Sequence, residues 1–184
     1  SSTMDKKNNT KEFLAESLRL LICKMPFHSI TIKKICDEAG VVRVTFYNYF
    51  VDKYDALDYL VQTDLEAGIR ERESDPLMIL LTHLAKVLSE HRRFYETAVE
   101  IDGQNGFQEI FILRMSEAIK RILDVHRSSM AEAPDLNNAF LAETYAVMIF
   151  YFARIWLKNS SLKEEDFIKN TLKMCHSSFY DFIQ

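Results

Sequence analysis

Residues 31–53 read TIKKICDEAGVVRVTFYNYFVDK, and this stretch predicts two short helices joined by a glycine turn. Thr31 is suited to cap the first helix, because its hydroxyl can accept a hydrogen bond from a backbone N–H group of the first turn. Gly40 is expected to supply the left-handed backbone position that ends this helix. The second helix, expected over 42–49, carries more polar and aromatic side chains than a helix facing only water needs. The pattern is typical of a DNA-binding helix-turn-helix.

This stretch lies within an ordered string of positions between about Asn9 and Leu60. The string consists of Thr31, Ile35, Ala39-Gly40-Val41, Thr45-Phe46-Tyr47, Tyr49-Phe50, Lys53 and Leu57. It resembles the DNA-binding domain of the TetR family of bacterial transcriptional regulators, and the resemblance covers about a third of the chain. The resemblance implies an all-α protein with an N-terminal three-helix DNA-binding domain and a C-terminal helical domain for ligand binding and dimerisation.

Two valines depart from the usual pattern of the family. Val42 stands where the family commonly has Ser or another cap for the second helix, and Val44 stands where it commonly has a small residue. A missing cap costs about 1 kcal/mol or less in typical hosts, so this helix is still expected to form. Val44 leaves the base contact at its position open, and packing on a thymine methyl group is one form that the contact can take.

The proposed DNA contacts divide into base contacts and phosphate contacts. Arg43, Thr45 and Asn48 are expected to reach base edges, since Arg is suited to guanine and Asn to adenine. Contacts that fix the register without reading the sequence are expected from Thr31, Tyr47, Tyr49 and Lys53. Core packing is the alternative for Tyr49. Lys33 and Lys34 are expected to lie on a solvated face and not to make specific contacts.

The composition favours an all-α protein with a basic N-terminal part. Four Gly and three Pro residues are few for a chain of 184 residues. The formal net charge is -4, yet residues 1–54 hold nine Lys or Arg against six Asp or Glu, and residues 55–184 hold fourteen against twenty-one. A basic face suits phosphate binding. We therefore expect a helix-turn-helix domain at 1–53, in which 1–3 look like cloning residues before Met4, and an effector-binding and dimerisation domain at 54–184.

Caps and helix breakers place the other helices. One helix is expected from about Asn9 until shortly before Pro26, and Asp52 is expected to cap another that continues to about Arg72. Further helices are expected over 76–90, 91–101, 107–128, 136–158 and 163–183, with a glycine-containing loop at 102–106 and a polar linker around Pro134. Only a short loop separates the last two helices, so we expect them to form an antiparallel hairpin.

The last hairpin carries more apolar surface than packing against the rest of a small helical bundle requires. Residues 145–156 read YAVMIFYFARIW, which is apolar almost all round, and such a helix must bury more than one face. One face can cover the domain core and the other can meet a second copy, as the family resemblance implies for a four-helix dimer interface. A core within the monomer is the alternative. The dimer contacts are expected at Phe150, Trp156, Leu172 and Phe179.

Met and aromatic side chains in the second domain suit an adaptable apolar pocket for a small effector. Plain core packing is the alternative, because the same residue types at helical spacing also build a core. The effector is expected to be apolar or aromatic, and the sequence does not identify it. The lining is expected to include Met78, Phe94, Phe111, Met115, Tyr145, Met148 and Phe152.

The sequence shows no pattern typical of an enzyme, and we expect no catalytic residues, metal site or cofactor. The five His residues lack HExxH spacing, the Cys and His residues lack zinc-ligand spacing, and no phosphate-binding glycine loop is present. Three widely spaced cysteines, Cys23, Cys36 and Cys175, do not form a disulfide framework, which favours the cytoplasm. No apolar run reaches 18 residues, so neither a membrane span nor a secretory signal is expected.

The sequence therefore predicts a transcriptional regulator, a repressor in our interpretation, that binds a palindromic DNA operator as a homodimer and is released by a small-molecule effector. The alternative from another class is a helical adaptor that binds a protein partner through its last hairpin and has reduced or lost DNA binding. The departures at Val42 and Val44 keep this alternative open.

Overall fold

The computed structural model describes residues 2–128 and 135–184, with side chains from Asn9 onward. The linker expected around Pro134 lies outside these residues. The described secondary structure is helical throughout and confirms the all-α prediction. The α-helices are α1 (Ser2–Ile22), α2 (Ile32–Ala39), α3 (Arg43–Tyr47), α4 (Lys53–Glu66), α5 (Pro76–Glu90), α6 (Arg92–Ala98), α7 (Phe107–Arg127), α8 (Asn138–Lys158) and α9 (Glu164–His176), with short 3-10 helices at Phe27–Ser29 and Phe179–Phe182.

The expected helices form, but several end elsewhere than predicted. α1 begins at Ser2 instead of near Asn9, α3 is shorter than expected, and α4 ends at Glu66 instead of near Arg72. The chain turns after α4, and Gly68 in this turn lies so close to α5 that a Cβ atom on it would be 2.7 Å from the His83 side chain. α9 ends at His176 because the next residue is extended, and the final residues then form a separate 3-10 helix.

The chain folds into two compact units, and the first includes a segment from the middle of the sequence. This first unit consists of residues 1–63 and 93–110, and the second consists of 64–92 and 111–184. The boundary between units therefore differs from the domain boundary expected after residue 53. A cation–π contact is one link between the two parts of the first unit: the guanidinium carbon of Arg19 in α1 lies 4.8 Å from the ring centre of Phe94 in α6.

The core of the first unit holds the helix-turn-helix in place. α1 packs against α2, and α2 packs against α3. Leu18 of α1, Ile35 of α2, Phe46 of α3 and Leu57 of α4 are all fully buried. Each of the four helices thus contributes a large side chain to one core, so the outward face of α3 is set by how Phe46 is buried.

The second unit is built around the hairpin of α8 and α9, as predicted. α9 packs against both α8 and α5. The ring of Trp156 in α8 stacks on the ring of Phe167 in α9 with centroids 5.1 Å apart, and its Nε1 donates a hydrogen bond to the Leu162 carbonyl at 3.1 Å. Ser89 of α5 also donates to the Glu164 carboxylate at 2.9 Å. These contacts join the three helices.

α8 is, within the described residues, the one helix whose length and composition would suffice to cross a membrane. Its most apolar 18-residue window has a mean hydropathy of 1.4, and 39% of that window is buried. Ala146, Ile149 and Ala153 of this helix are among the residues buried in the second unit. Packing in a protein core therefore accounts for the apolar character of these positions.

Candidate nucleic-acid interface

The first helix of the helix-turn-helix begins and ends as the sequence predicts. The Thr31 hydroxyl accepts a hydrogen bond from the Lys34 backbone N–H at 3.2 Å, so Thr31 caps α2. Gly40 follows the helix with φ of 72°, in the left-handed region, and its N–H donates to the carbonyl oxygens of Cys36 and Asp37. These local bonds set the angle at which the chain enters α3.

α3 is anchored by a single buried aromatic side chain. Phe46 is fully buried, and its ring lies 5.5 Å from that of Phe50, measured between centroids. Val42 takes the N-cap position with extended backbone and no side-chain cap bond, as its residue type predicts. A five-residue helix held by one inward side chain leaves most of its surface available to a partner.

The outward face of α3 brings together most of the residues expected to contact bases. Arg43, Val44, Tyr47 and Asn48 are exposed, and Thr45 is half-buried. Val44, Tyr47 and Asn48 are spaced by three and four residues, so they share one side of the helix. Tyr49, for which core packing was the alternative, is half-buried.

Arg43 is held against Tyr47 one turn further along α3. Its Nη2 donates to the Tyr47 hydroxyl at 3.4 Å, and its guanidinium carbon lies 5.9 Å from the ring centre. The hydrogen bond to Tyr47 raises the pKa of Arg43 above its ordinary value. The side chain thus stays charged, and its fork of donors is presented at the exposed end of the helix.

Lys53 at the start of α4 makes its contacts inside the first unit. Its Nζ donates to the carbonyl oxygens of Phe27 at 2.6 Å and Ile30 at 3.0 Å, and it lies 4.3 Å from the centre of the Phe27 ring. Burial lowers the pKa of this ammonium group. The residue expected to contact phosphate therefore also holds the loop that leads into Thr31.

Lys33 and Lys34 each make one polar contact on the surface of the first unit. Lys33 pairs with Asp37 at 2.8 Å, and this hydrogen bond raises the pKa of Lys33. The Lys34 ammonium donates to the Ser29 carbonyl oxygen at 3.0 Å. Both side chains are exposed, in keeping with the expectation that they belong to a solvated face.

Sequence reasoning did not single out two features near α3. The Lys11 ammonium of α1 lies 4.5 Å from the Tyr59 ring centre and 5.4 Å from that of Phe50. Val51, between α3 and α4, is 79% exposed, more than any other large apolar side chain described. The basic composition of the first third hinted at Lys11, whereas the exposure of Val51 follows from the turn that precedes the Asp52 cap.

The residues expected to line an effector pocket are divided between the two units. Phe94 belongs to the first unit and the other six belong to the second. Phe111 and Met115 are fully buried, and Met78 is 40% exposed. Of the seven residues expected to line the pocket, Tyr145, Met148 and Phe152 on α8 are half-buried. Core packing, the alternative stated for this set, thus describes Phe94, Phe111 and Met115.

A cleft of about 690 Å³ lies in the first unit. It is bordered by residues 22–28 after α1, by Tyr54 of α4 and by residues between 97 and 102. No residue of the expected effector pocket borders it. This cleft is of ordinary size for a small-molecule site.

The residues expected at a dimer interface differ in how far they are exposed to solvent. Phe150 and Trp156 are 1% and 2% exposed, because they pack inside the second unit, and they leave no surface for a partner chain. Phe179 is 73% exposed and Leu172 is half-buried. The exposed apolar side chains of α8 are instead Phe140, Tyr151 and Ile155. The sequence could not orient α8 because it is apolar almost all round.

Comparison with known proteins identifies relatives over most of the chain. A family model described as "Transcriptional regulator C-terminal region", named TetR_C_8, matches residues 77–177. The HTH-type dhaKLM operon transcriptional activator DhaS of Lactococcus lactis subsp. lactis (strain IL1403) is 24% identical over 157 residues, which cover 82% of this chain and 81% of that protein.

Solved structures share the fold. A TetR transcriptional regulator from Streptococcus agalactiae 2603V superposes with a TM-score of 0.65 at 19% identity, covering 94% of this chain and 97% of that one. Thermus thermophilus FadR, a TetR-family repressor solved in complex with lauroyl-CoA, gives a TM-score of 0.63 at 21% identity, covering 89% and 92%. At these identities the likeness concerns the fold.

Proposed function

The chain belongs to the TetR family of transcriptional regulators, and from this premise we propose that it binds a short inverted repeat in double-stranded DNA as a homodimer. The observation that carries the proposal is the outward face of α3. Arg43, Val44, Tyr47 and Asn48 are exposed there, while Phe46 anchors the helix from behind. Such a helix can enter the major groove with its side chains against base edges.

Each side chain on this face has a role in the proposal. Arg43 donates to the O6 and N7 atoms of a guanine, and Asn48 bonds an adenine. Thr45 supplies a further base contact. Phosphate contacts, which fix the register, come from Thr31, Tyr47, Tyr49 and Lys53.

A homodimer is proposed because one α3 helix spans only a few base pairs. Two copies related by a two-fold axis read a palindrome, and their separation must match the spacing of the half-sites. α8 and α9 supply the proposed interface. Its apolar contacts come from Tyr151 and Ile155 on α8, which are 45% and 55% exposed, and from exposed residues after α9 such as Phe179.

A small apolar or aromatic molecule is proposed to bind between helices of residues 75–158 and weaken operator binding. FadR of Thermus thermophilus, which shares the fold, was solved with lauroyl-CoA, a ligand with an apolar chain. Tyr145, Met148 and Phe152 on α8, which are half-buried, are the proposed lining of this site. To act as a switch, the ligand must prefer the conformation that fits DNA less well.

The direction of regulation follows from where the operator lies relative to the promoter. We propose repression, in which the bound dimer blocks RNA polymerase at the promoter. The protein is proposed to act in the cytoplasm. The relative DhaS is named as an activator, so activation is the competing outcome. A reporter fused to the chain's own upstream DNA distinguishes the two, since loss of the protein raises expression under repression and lowers it under activation.

Selection from random duplexes tests DNA binding itself. The purified protein is expected to enrich one inverted repeat, and its affinity for that repeat should fall steeply as salt rises, because bound phosphates release counterions. An Arg43→Ala variant is the control: if α3 reads the bases, it should bind the enriched repeat more weakly than the wild type. If no palindrome is enriched, the helical adaptor that binds a protein partner becomes the favoured function.

A further inference from the structure

We propose that Val44 reads a thymine in each half-site by packing against its 5-methyl group. The proposal rests on the proposed DNA-binding function and specifies what α3 recognises. Val44 is 71% exposed, although valine is usually buried and β-branched side chains are not favoured in helices. An apolar side chain in this position gains stability only when a partner covers it.

The geometry of α3 excludes a core role for Val44. Phe46 takes the inward position of this five-residue helix and is fully buried. Val44 lies two residues earlier, which is more than half a turn around the helix from Phe46. The side chain therefore faces away from the core of the first unit, toward the surface that the proposed operator occupies.

The neighbours of Val44 place it on the side of α3 that carries the proposed base reader Asn48. Tyr47 and Asn48 follow it by three and four residues, so they lie on the same side of the helix. An Asn that bonds an adenine places the helix over an A·T pair, and the thymine of such a pair exposes its 5-methyl group in the major groove. A branched apolar side chain one turn away is the matching surface for that methyl group or for one on an adjacent pair.

Valine fits this task better than the small residue usual in the family. Its two methyl groups are held nearly rigid at χ1, so little side-chain entropy is lost when a thymine methyl packs against them. Val44 has no hydrogen-bonding atom in its side chain, so it offers cytosine and uracil no compensating contact. The recognised chemical group is thus the methyl itself.

Deoxyuridine scanning tests the proposal, because uracil differs from thymine only by the absent methyl group. In the selected operator, each symmetric pair of thymines is replaced by deoxyuridine and the affinity is measured. Loss of one buried methyl is expected to weaken binding about fourfold per half-site, or about 15-fold for the pair. The same scan is run with Val44→Ala and with Val51→Ala, a matched variant at an exposed valine outside α3.

The expected result is one thymine per half-site whose replacement weakens binding by the wild-type protein and the Val51→Ala variant but not by Val44→Ala. The idea is overturned if every replacement is silent, or if the Val44→Ala variant keeps the full penalty. Both of those results still include specific binding to the palindrome, so they leave the proposed function standing. Absence of any enriched palindrome removes both the proposed function and this inference.

Discussion

The ammonium nitrogen of Lys53 lies 2.6 Å from the carbonyl oxygen of Phe27 and donates a hydrogen bond to it. The same group also donates to the carbonyl of Ile30 at 3.0 Å. Ile30 directly precedes Thr31, which caps α2. The start of α4 is therefore tied to the start of the helix-turn-helix through one partly buried cation.

Lys53→Met tests this tie, because methionine keeps an apolar stem and removes the donor. The two carbonyl oxygens would lose a charged partner, so the free energy of unfolding is expected to fall by about 1–3 kcal/mol. Chemical denaturation measures this loss. Lys33→Met is the control, since Lys33 is exposed and pairs only with Asp37 on its own helix among the contacts described. Equal stability of Lys53→Met and the wild type would contradict the structural role.

The Lys53→Met variant also tests whether Lys53 contributes to DNA affinity and to its dependence on salt. If the ammonium group contacts a phosphate in the complex, Lys53→Met should weaken all sequences by a similar factor and reduce the salt slope by about 1. Fluorescence anisotropy on the operator and on an unrelated duplex, each across a salt series, gives both quantities. A loss confined to the operator would instead indicate that only the placement of α2 has changed.

Sequence reasoning found the local features of the first unit and missed the distant ones. The Thr31 cap and the Gly40 turn depend on neighbouring residues, so their residue types were sufficient to predict them. The contacts of Lys53 with Phe27 and of Arg19 with Phe94 join residues far apart in the chain. No local preference encodes such pairs, which is why residues 93–110 were expected in the second domain.

The second unit shows another limit, which concerns orientation. α8 is apolar almost all round, so its periodicity does not indicate which side faces the core. Trp156 was expected at a dimer interface, but it stacks on Phe167 and is 2% exposed. The existence of the hairpin followed from the sequence, whereas the inward side of α8 followed only from its packing with α9.

Two substitutions in α3 test direct base reading. Arg43→Ala and Asn48→Ala are each expected to cost about 1–3 kcal/mol of operator binding and to relax the base preference at one position per half-site. Both side chains are exposed, so stability should change little. Affinities for operators mutated one base pair at a time locate the relaxed position. A uniform loss over all bases would show that the residue contacts phosphate and not a base.

Gly40 and Gly103 form a matched pair of left-handed glycines in the first unit. Their φ angles are 72° and 81°, and a Cβ atom at either would meet nothing within 4 Å. Alanine at each is expected to cost about 1–2 kcal/mol of stability from the backbone alone. Gly40→Ala should also weaken operator binding, because it alters the angle of α3, whereas Gly103→Ala should not. Equal DNA affinity of the two variants would count against this view of the turn.

A charge on the exposed face of α8 tests the proposed dimer. Ile155→Glu is expected to split the dimer, because a carboxylate buried in an apolar interface lacks a partner. In the monomer the same carboxylate would face water, so the substitution destabilises the dimer more than the monomer. Phe13→Glu is the control, since Phe13 is 66% exposed and lies on α1 in the first unit. Sedimentation velocity at micromolar concentration measures the mass. The proposal fails if the wild type sediments as a folded monomer, or if Phe13→Glu dissociates it equally well.

An apolar effector should stabilise the free protein more than the operator-bound protein. A thermal-shift screen of apolar and aromatic compounds, with lauroyl-CoA included, is run with and without operator. A coupling of about 1–3 kcal/mol would lower operator affinity between about 5-fold and 150-fold at saturation. Met148→Trp should place a larger side chain in the proposed lining on α8 and abolish the ligand's stabilisation while leaving operator affinity intact. Met174→Trp on α9, at a position that is 43% exposed, serves as the control and should keep both responses. Compounds whose stabilisation is unaffected by operator would show binding without regulation, because a ligand with equal affinity for both states shifts neither.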